Sequence, residues 1–407
     1  MSRDRPTVGG HLRDYWARIR GGDLGTLPAV LGLLILILIF GSARSETFLS
    51  ALNFANLFNQ SAQIVFIAMG LVFVLLLGEI DLSAGFGSGV CGAVMAILLT
   101  THGLPWVVAI PAAMATGVLI GIVLGLLVAK LGIPSFVVTL AAFLGFQGVL
   151  LTLLEGGKNI AIDDEFVTSL NNGTLSVRAS WILAVAGVAG FGLAQFLRWR
   201  ARVIRGLIAE PAGIVLARIA GVAALALSAT YVLTLERAVN VSITSLKGIP
   251  IVVPIILFFL VLWTFVLGRT TYGRHVYAVG GNAEAARRAG IPVDRIRVSV
   301  FAIASFMASI GGILIVSRQS SVDPNTGGSN ILLYSVGAAV IGGTSLFGGQ
   351  GKIIYAVIGG AVIIVIENGM TLLALNSGVK FIFTGLVLLA AASVDALARR
   401  RAAASGG

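Results

Sequence analysis

Gly280-Gly281-Asn282-Ala283-Glu284-Ala285-Ala286-Arg287-Arg288-Ala289-Gly290-Ile291-Pro292 lies between two apolar runs, residues 250–267 and 298–316. It reads as a short helix held at a membrane surface. Asn282 can cap the free N–H groups of a helix that begins at Ala283. Glu284 then sits on the positive end, while Arg287 and Arg288 fall on the negative end. Gly290 stops the helix and Pro292 keeps it stopped. About two turns of amphipathic helix result, with Ala285 and Ala286 at its centre, a shape suited to docking on another protein. A membrane chain that only had to turn round would not need such a loop, so the stretch implies a transmembrane subunit driven by a partner.

The rest of the chain supplies the membrane part. Of its 407 residues 57% are hydrophobic and 11% charged, and apolar runs repeatedly reach the ~17–25 residues that cross a bilayer. Read as helices they cover 27–43, 54–78, 84–100, 105–129, 134–154, 180–197, 212–235, 250–267, 298–316, 331–345, 353–374 and 380–398. The fold expected is all-α, a polytopic bundle of about twelve spans. The third and tenth are the poorest fits. Residues 1–26 form a basic lead, 27–398 one membrane domain with a loop at 268–297, and 399–407 a basic tail.

Positive charge beside a span stays in the cytoplasm. Arg3 to Arg20, Arg198 to Arg205, Arg269 to Arg297 and Arg399 to Arg401 all fall on one side of this layout, which puts both termini in the cytoplasm and 155–179 outside. Leu12, Tyr15, Trp16 and Ile19 repeat at helical spacing among arginines, as in an interfacial helix; a disordered basic tail is the alternative. Leu27 to Phe40 could be a signal sequence, but the long polar lead and the later spans favour a retained span. The net charge of +11 fits a membrane surface beside anionic lipid. Nucleic-acid binding would need a basic face on a soluble domain. Cys91 is alone, and His11, His102 and His275 are too scattered to suggest a metal centre.

Polar groups inside apolar runs are the candidates for a transport path. Glu79, Asp81 and Ser83 fall between the runs 64–77 and 84–100, either as a broken helix lining the path or as a cytoplasmic turn. Glu367 and Asn368 interrupt the run 353–374. Asn56, Asn59, Gln60 and Gln63 recur at i, i+3, i+4 and i+7, an amide stripe able to hydrogen-bond a sugar, or to hold helices together. Residues 78–87 and 342–351 share glycine and leucine positions, a faint echo of a parallel repeat. Gly351-Lys352 lacks both the earlier glycine and the following Ser or Thr of a P-loop. Leu346 to Gln350 resembles an ATPase signature loop without a P-loop to serve. No catalytic set stands out, so an enzyme is not expected.

Taken together, Glu79-Ile80-Asp81-Leu82-Ser83-Ala84-Gly85, Pro134-Ser135-Phe136-Val137-Val138-Thr139-Leu140, the loop from Tyr272-Gly273-Arg274 to Ile291, Val340 through Gly351 and Glu367-Asn368-Gly369-Met370 resemble the permeases of bacterial ABC monosaccharide importers. These are the importers of the ribose, galactose, arabinose and xylose type. The extra spans around 180–235 resemble the longer xylose-type members. Ala84, Arg288, Ala289 and Gln147 stand where valine, leucine, serine and arginine are common in the family.

The resemblance implies a type II importer-like permease in the bacterial inner membrane, carrying a monosaccharide such as D-xylose. It implies a homodimer working with two cytoplasmic ATPase copies or one tandem ATPase, a periplasmic sugar-binding protein and membrane lipid. ATP and Mg would be held by the ATPase, and this chain would bind no cofactor. Gly280, Gly281, Asn282, Glu284, Ala285, Ala286, Arg287, Arg288 and Gly290 would form the coupling surface. Asn59, Gln60, Gln63, Glu79, Asp81, Ser83, Gln147, Thr344, Ser345, Glu367 and Asn368 would line the path. Sugar would enter past 155–179 and 317–330, near Asp323, Asn325 and Ser329. A gradient-driven carrier using Glu79, Asp81 or Glu367 as a proton site is the rival reading.

Overall fold

A computed structural model of the chain describes residues 25–207, 209–238 and 245–405. The interfacial helix read around Leu12 to Ile19 lies outside them. Helices follow one another along the chain: α1 Leu27–Ala43, α2 Ser45–Phe48, α3 Ala51–Leu76, α4 Ala84–Ala96, α5 Trp106–Lys130 and α6 Ser135–Leu153. After them come α7 Glu165–Asn172, α8 Val177–Ile204, α9 Ala212–Thr234, α10 Val252–Arg269, α11 Thr271–Gly281, α12 Ala283–Arg288 and α13 Val293–Gln319. The series ends with α14 Ser329–Ile341, α15 Ile353–Leu372 and α16 Ser377–Ser405. Two-residue strands β1 (Ile160–Ala161) and β2 (Ser321–Val322) pair antiparallel.

Among the described residues nine helices are long and apolar enough to cross a membrane, and three shorter apolar ones accompany them. Each expected span has its helix. The two poor fits have physical reasons: α4 ends in a π-helical turn, Ile97–Thr101, and α14 has 13 residues, about 20 Å of helix against the ~30 Å of a hydrocarbon core. The approach to α14 is not helical. Residues 326–328 press instead on the start of α4, where a Cβ on Gly89 would lie 2.1 Å from the Thr326 carbonyl oxygen and one on Gly327 2.2 Å from that of Gly85.

The chain divides into two compact units. The larger, residues 26–173 and 250–395, is built round α3, which is buried without a break from Ser61 to Leu76. A helix that is apolar all round belongs in a core. It packs on α13, and α13 on α5, through small residues that let backbones touch. Cβ atoms on Gly117, Gly121 and Gly125 of α5 would stand 2.6, 2.3 and 2.7 Å from Ser305 O, Phe301 O and Val298 Cα. Between α14 and α15, Gly359 leaves 1.8 Å between such a Cβ and Ala338 O.

The other unit comprises 1–25, 174–249 and 396–407. In its described part α8 and α9 form a hairpin closed by main-chain bonds, Leu175 N donating to Ile249 O at 2.8 Å and Gly248 N to Leu233 O at 2.8 Å. The buried Arg237 guanidinium donates to the carbonyls of Leu233 and Gly248. Glu236 accepts from Ser245 and from the amides of Arg237, Ala238 and Leu246. Those bonds, chiefly that from Ala238, hold its carboxyl down at about 2.

Candidate functional site

Two features of the larger unit stand out, a polar cavity and a glycine-rich junction. The cavity, about 670 Å³, is walled by α3, α4, α6, α13, α14 and α15. Gln60, Gln63 and Gln147 supply amides that can both donate and accept. Arg318, near the end of α13, and Glu367 on α15 contribute one charge of each sign. Phe86 and Phe143, edge to face with centroids 4.9 Å apart, give an apolar wall, and Tyr334, Asn325 and Asn330 add polar groups to the lining. Amides beside aromatic faces suit a neutral molecule rich in hydroxyls, since a pocket of this kind orients its ligand through few polar groups.

The structure thus brings together Gln60, Gln63, Gln147 and Glu367 from three helices, α3, α6 and α15. Sequence reading missed Arg318, Tyr334, Phe86, Phe143 and Asn330. Arg318 looks like an interfacial anchor at a helix end, and Tyr334 falls in the poorly defined tenth span. Of the entry loops, Asn325 reaches the cavity, Asp323 accepts from the Asn325 amide at 2.7 Å, and the Ser329 side chain lies outside the description.

Several candidates for the path do not line this cavity. Asn368 exchanges two hydrogen bonds with Asn53, at 3.0 and 2.9 Å, and so ties α15 to α3. Asn368→Leu is therefore expected to leave the cavity intact but destabilise the purified chain by about 1 kcal/mol for an interhelical amide pair, read as a lower thermal midpoint. Asn59 is half-buried and its carbonyl oxygen has no partner. Glu79 pairs with Arg297 at 3.2 Å, about 30 Å along α13 from Arg318. Pairing answers the cost of a carboxylate near the membrane, and Glu79 sits in the turn between α3 and α4, away from this cavity. Asp81 accepts from the Ser83 amide at 2.8 Å and its hydroxyl at 2.6 Å, setting the turn that opens α4. Burial pushes its carboxyl up against the pull of those bonds. Thr344 and Ser345 occupy the tight loop after α14, where Ser345 N donates to Gln350 O at 2.9 Å.

The junction gathers at that same end. Asn282 caps α12 by accepting from Ala285 N at 2.8 Å, and α12 runs for six residues to Arg288. Gly290 follows with φ +83. Ala286 is buried in the core of the larger unit. Glu284 holds Arg288 at 3.1 Å and lies 3.8 Å from Arg287, which also reaches Asp294 at 3.6 Å. These ion pairs are largely exposed, so each is worth little on its own and can exchange for a partner's charges.

The stretch before α12, read as loop, is a helix of its own. Thr270 caps α11 by accepting from Gly273 N, Tyr272 bonds Ser299 at 2.9 Å, and Tyr277 donates to Gly351 O at 2.7 Å. At the end of α11 a Cβ on Gly280 would lie 1.8 Å from Leu76 O. Leu76 O is itself bonded by Gly349 N at 2.8 Å. Gly78, at φ +73, and Gly348, at φ +85, pack there too. The two loops of the faint repeat therefore meet, although one leads into α4 at once and the other makes a wide glycine turn before α15. Gln63 lies about 20 Å up α3 from Leu76, so one rigid helix joins junction and cavity.

Comparison with known proteins matches this architecture. A family model described as branched-chain amino acid transport system / permease component covers residues 53–392. The xylose transport system permease protein XylH of Escherichia coli K12 is 33% identical over 400 residues, 97% of this chain and 96% of its own. The ribose import permease protein RbsC is 30% identical in Haemophilus influenzae, covering 90% of this chain and 91% of its own, and 30% in Bacillus subtilis, covering 92% and 94%. No solved structure matches. The chain belongs to this family of membrane-embedded transport permeases.

Proposed function

We propose that the chain is the inner-membrane permease of an ATP-driven ABC importer that moves a monosaccharide, D-xylose or a related pentose. The observation that carries this reading is the amide- and aromatic-lined cavity, in a chain similar along nearly its whole length to a xylose permease. In this reading Gln60, Gln63, Gln147 and Glu367 contact sugar hydroxyls, and Arg318 balances the charge of Glu367. Sugar arrives from a periplasmic binding protein at the end that carries β1 and β2. The α12 end and both termini face the cytoplasm, as the arginine clusters suggest.

There α12 seats on an ATPase, with Arg287 and Arg288 turning from Glu284 to carboxylates of the groove. Two copies of this chain work with two ATPase copies or one tandem ATPase, and ATP and Mg stay on that partner, with no cofactor on this chain. ATPase closure would push α11 and α12 together, and the packed helices would carry the push as a discrete rearrangement.

Gentle purification from the native membrane tests the assembly. A stoichiometric ATPase is expected with the chain, and a folded preparation without one would point to gradient-driven uptake. Glu284→Arg is expected to uncouple sugar uptake, with loss of roughly tenfold or more for a misplaced docking contact, while the chain still folds and dimerises. Normal uptake by that variant would remove α12 from the coupling role.

A further inference from the structure

The helix α8 is longer than a bilayer needs. Its 28 residues extend about 42 Å, so its last turns project from a ~30 Å hydrocarbon core. Those turns carry Arg198, Arg202 and, at the cap, Arg205, spaced i, i+4 and i+7. They lie within about 60° of one another on one helix face, with Arg200 on the other. All four side chains are exposed, and none has a hydrogen bond or ion pair among the described residues.

Among the described residues of this unit both acids are paired elsewhere, Glu210 with Arg218 at 3.0 Å and Glu236 with Lys247 at 3.4 Å. Val203 and Ile204, exposed at 49% and 70%, flank Arg200 on the other face, while Ala194 and Phe191 continue the stripe's own face toward the hydrocarbon. Trp199 is fixed in their midst, its indole N–H donating to Glu210 O at 3.1 Å. Guanidinium, indole and aliphatic groups at one level match the boundary between phosphate headgroups and acyl chains.

We propose that the end of α8 is a binding site for an anionic phospholipid. The headgroup phosphate lies along Arg198, Arg202 and Arg205, and an acyl chain runs back along the same face over Ala194 and Phe191. A planar guanidinium takes phosphate oxygens two at a time, which favours arginine over lysine here. Lipid is chosen over free phosphate because the stripe's own face continues back along α8 onto the apolar Ala194 and Phe191, which a free phosphate would leave uncovered. The proposal stands independently of the transported substrate.

The test uses the full chain in mild detergent and native mass spectrometry, with phosphatidylglycerol, phosphatidylcholine and inorganic phosphate as separate probes. Phosphatidylglycerol adducts are expected on the native chain, with far fewer from phosphatidylcholine. The variant R198Q/R202Q/R205Q should bind phosphatidylglycerol roughly tenfold or more weakly, from three lost headgroup charges. Arg178→Gln, the loss of one charge at the other end of α8, should bind as the native chain does, whereas Arg202→Gln, the same loss within the stripe, should bind more weakly. If the triple variant does not fold, Arg202→Glu alone must reduce the adducts. Undiminished adducts in any stripe variant, an equal loss in Arg178→Gln and Arg202→Gln, or phosphate binding as strong as lipid would overturn the proposal.

Discussion

Gly280→Ala is expected to cut sugar uptake at least roughly tenfold while ATP hydrolysis by the assembled complex continues, a loss equivalent to about 1.4 kcal/mol of misplaced geometry. The added methyl would stand 1.8 Å from Leu76 O and 3.0 Å from Gly349 N, and neither backbone group has a side chain's freedom to move aside. To admit it, α11 must withdraw from α3, and the bond from Gly349 to Leu76 must loosen. The neighbouring glycine is the control. A Cβ on Gly281 meets nothing within 4 Å, so Gly281→Ala should leave the contact between α11 and α3 in place and lose far less uptake than Gly280→Ala. Uptake measured beside ATPase rate in proteoliposomes decides the matter. Normal uptake by the Gly280 variant would show that the push does not travel through this contact. A complex with no ATPase activity in the native form would instead refute the proposed importer itself.

The second large effect is on the fold. Gly121→Ile should lower the folded yield and the thermal midpoint sharply, because its Cβ would lie 2.3 Å from Phe301 O and 2.6 Å from Ala302 Cα. Overpacking a core ordinarily costs about 1–3 kcal/mol, and a rigid backbone as the obstacle puts this case at the upper end. Gly145→Ala should have the opposite sign. Its site on α6 is open, and replacing a mid-helix glycine with alanine gains up to about 1 kcal/mol of helix propensity. Thermal unfolding of the two variants in one detergent compares them directly. A stable Gly121→Ile chain would mean that α5 and α13 can part without harm.

Much of this was legible in the sequence because membrane helices announce themselves by length and hydropathy. The caps of α12 were legible for a local reason: Asn282, Glu284, Arg287 and Gly290 each act on backbone groups within a few residues. What was hidden depends on partners far along the chain. Nothing near Glu79 indicates that Arg297 will neutralise it, and nothing near Asn368 indicates Asn53. The amide stripe shows the same limit. Helical spacing put Asn59, Gln60 and Gln63 together, but the neighbours of α3 decide that only the two glutamines reach the cavity. Arg318 was missed because an arginine at the end of an apolar helix has an ordinary explanation in headgroup contact. Helix α11 was missed because Gly273, Gly280 and Gly281 read as loop residues, whereas two of the three are there for close approach, Gly273 to Leu267 O and Gly280 to Leu76 O.

The short α14 and the non-helical backbone that leads into it have a consequence for ionic insulation. Irregular main chain at membrane depth survives only where protein buries it or water reaches it. Residues 326–328 are pressed against α4 on one side, and Gly328 borders the cavity on the other. The polar lining of the cavity suits water when no cargo is in it. Keeping protons and salt from crossing then falls to the dry length between Gln63 and Leu76 on α3, where Ile64 to Leu76 are buried with no polar side chain among them. A charge introduced there, as in Val72→Asp, should turn the protein into a leak for protons before it alters the handling of any sugar.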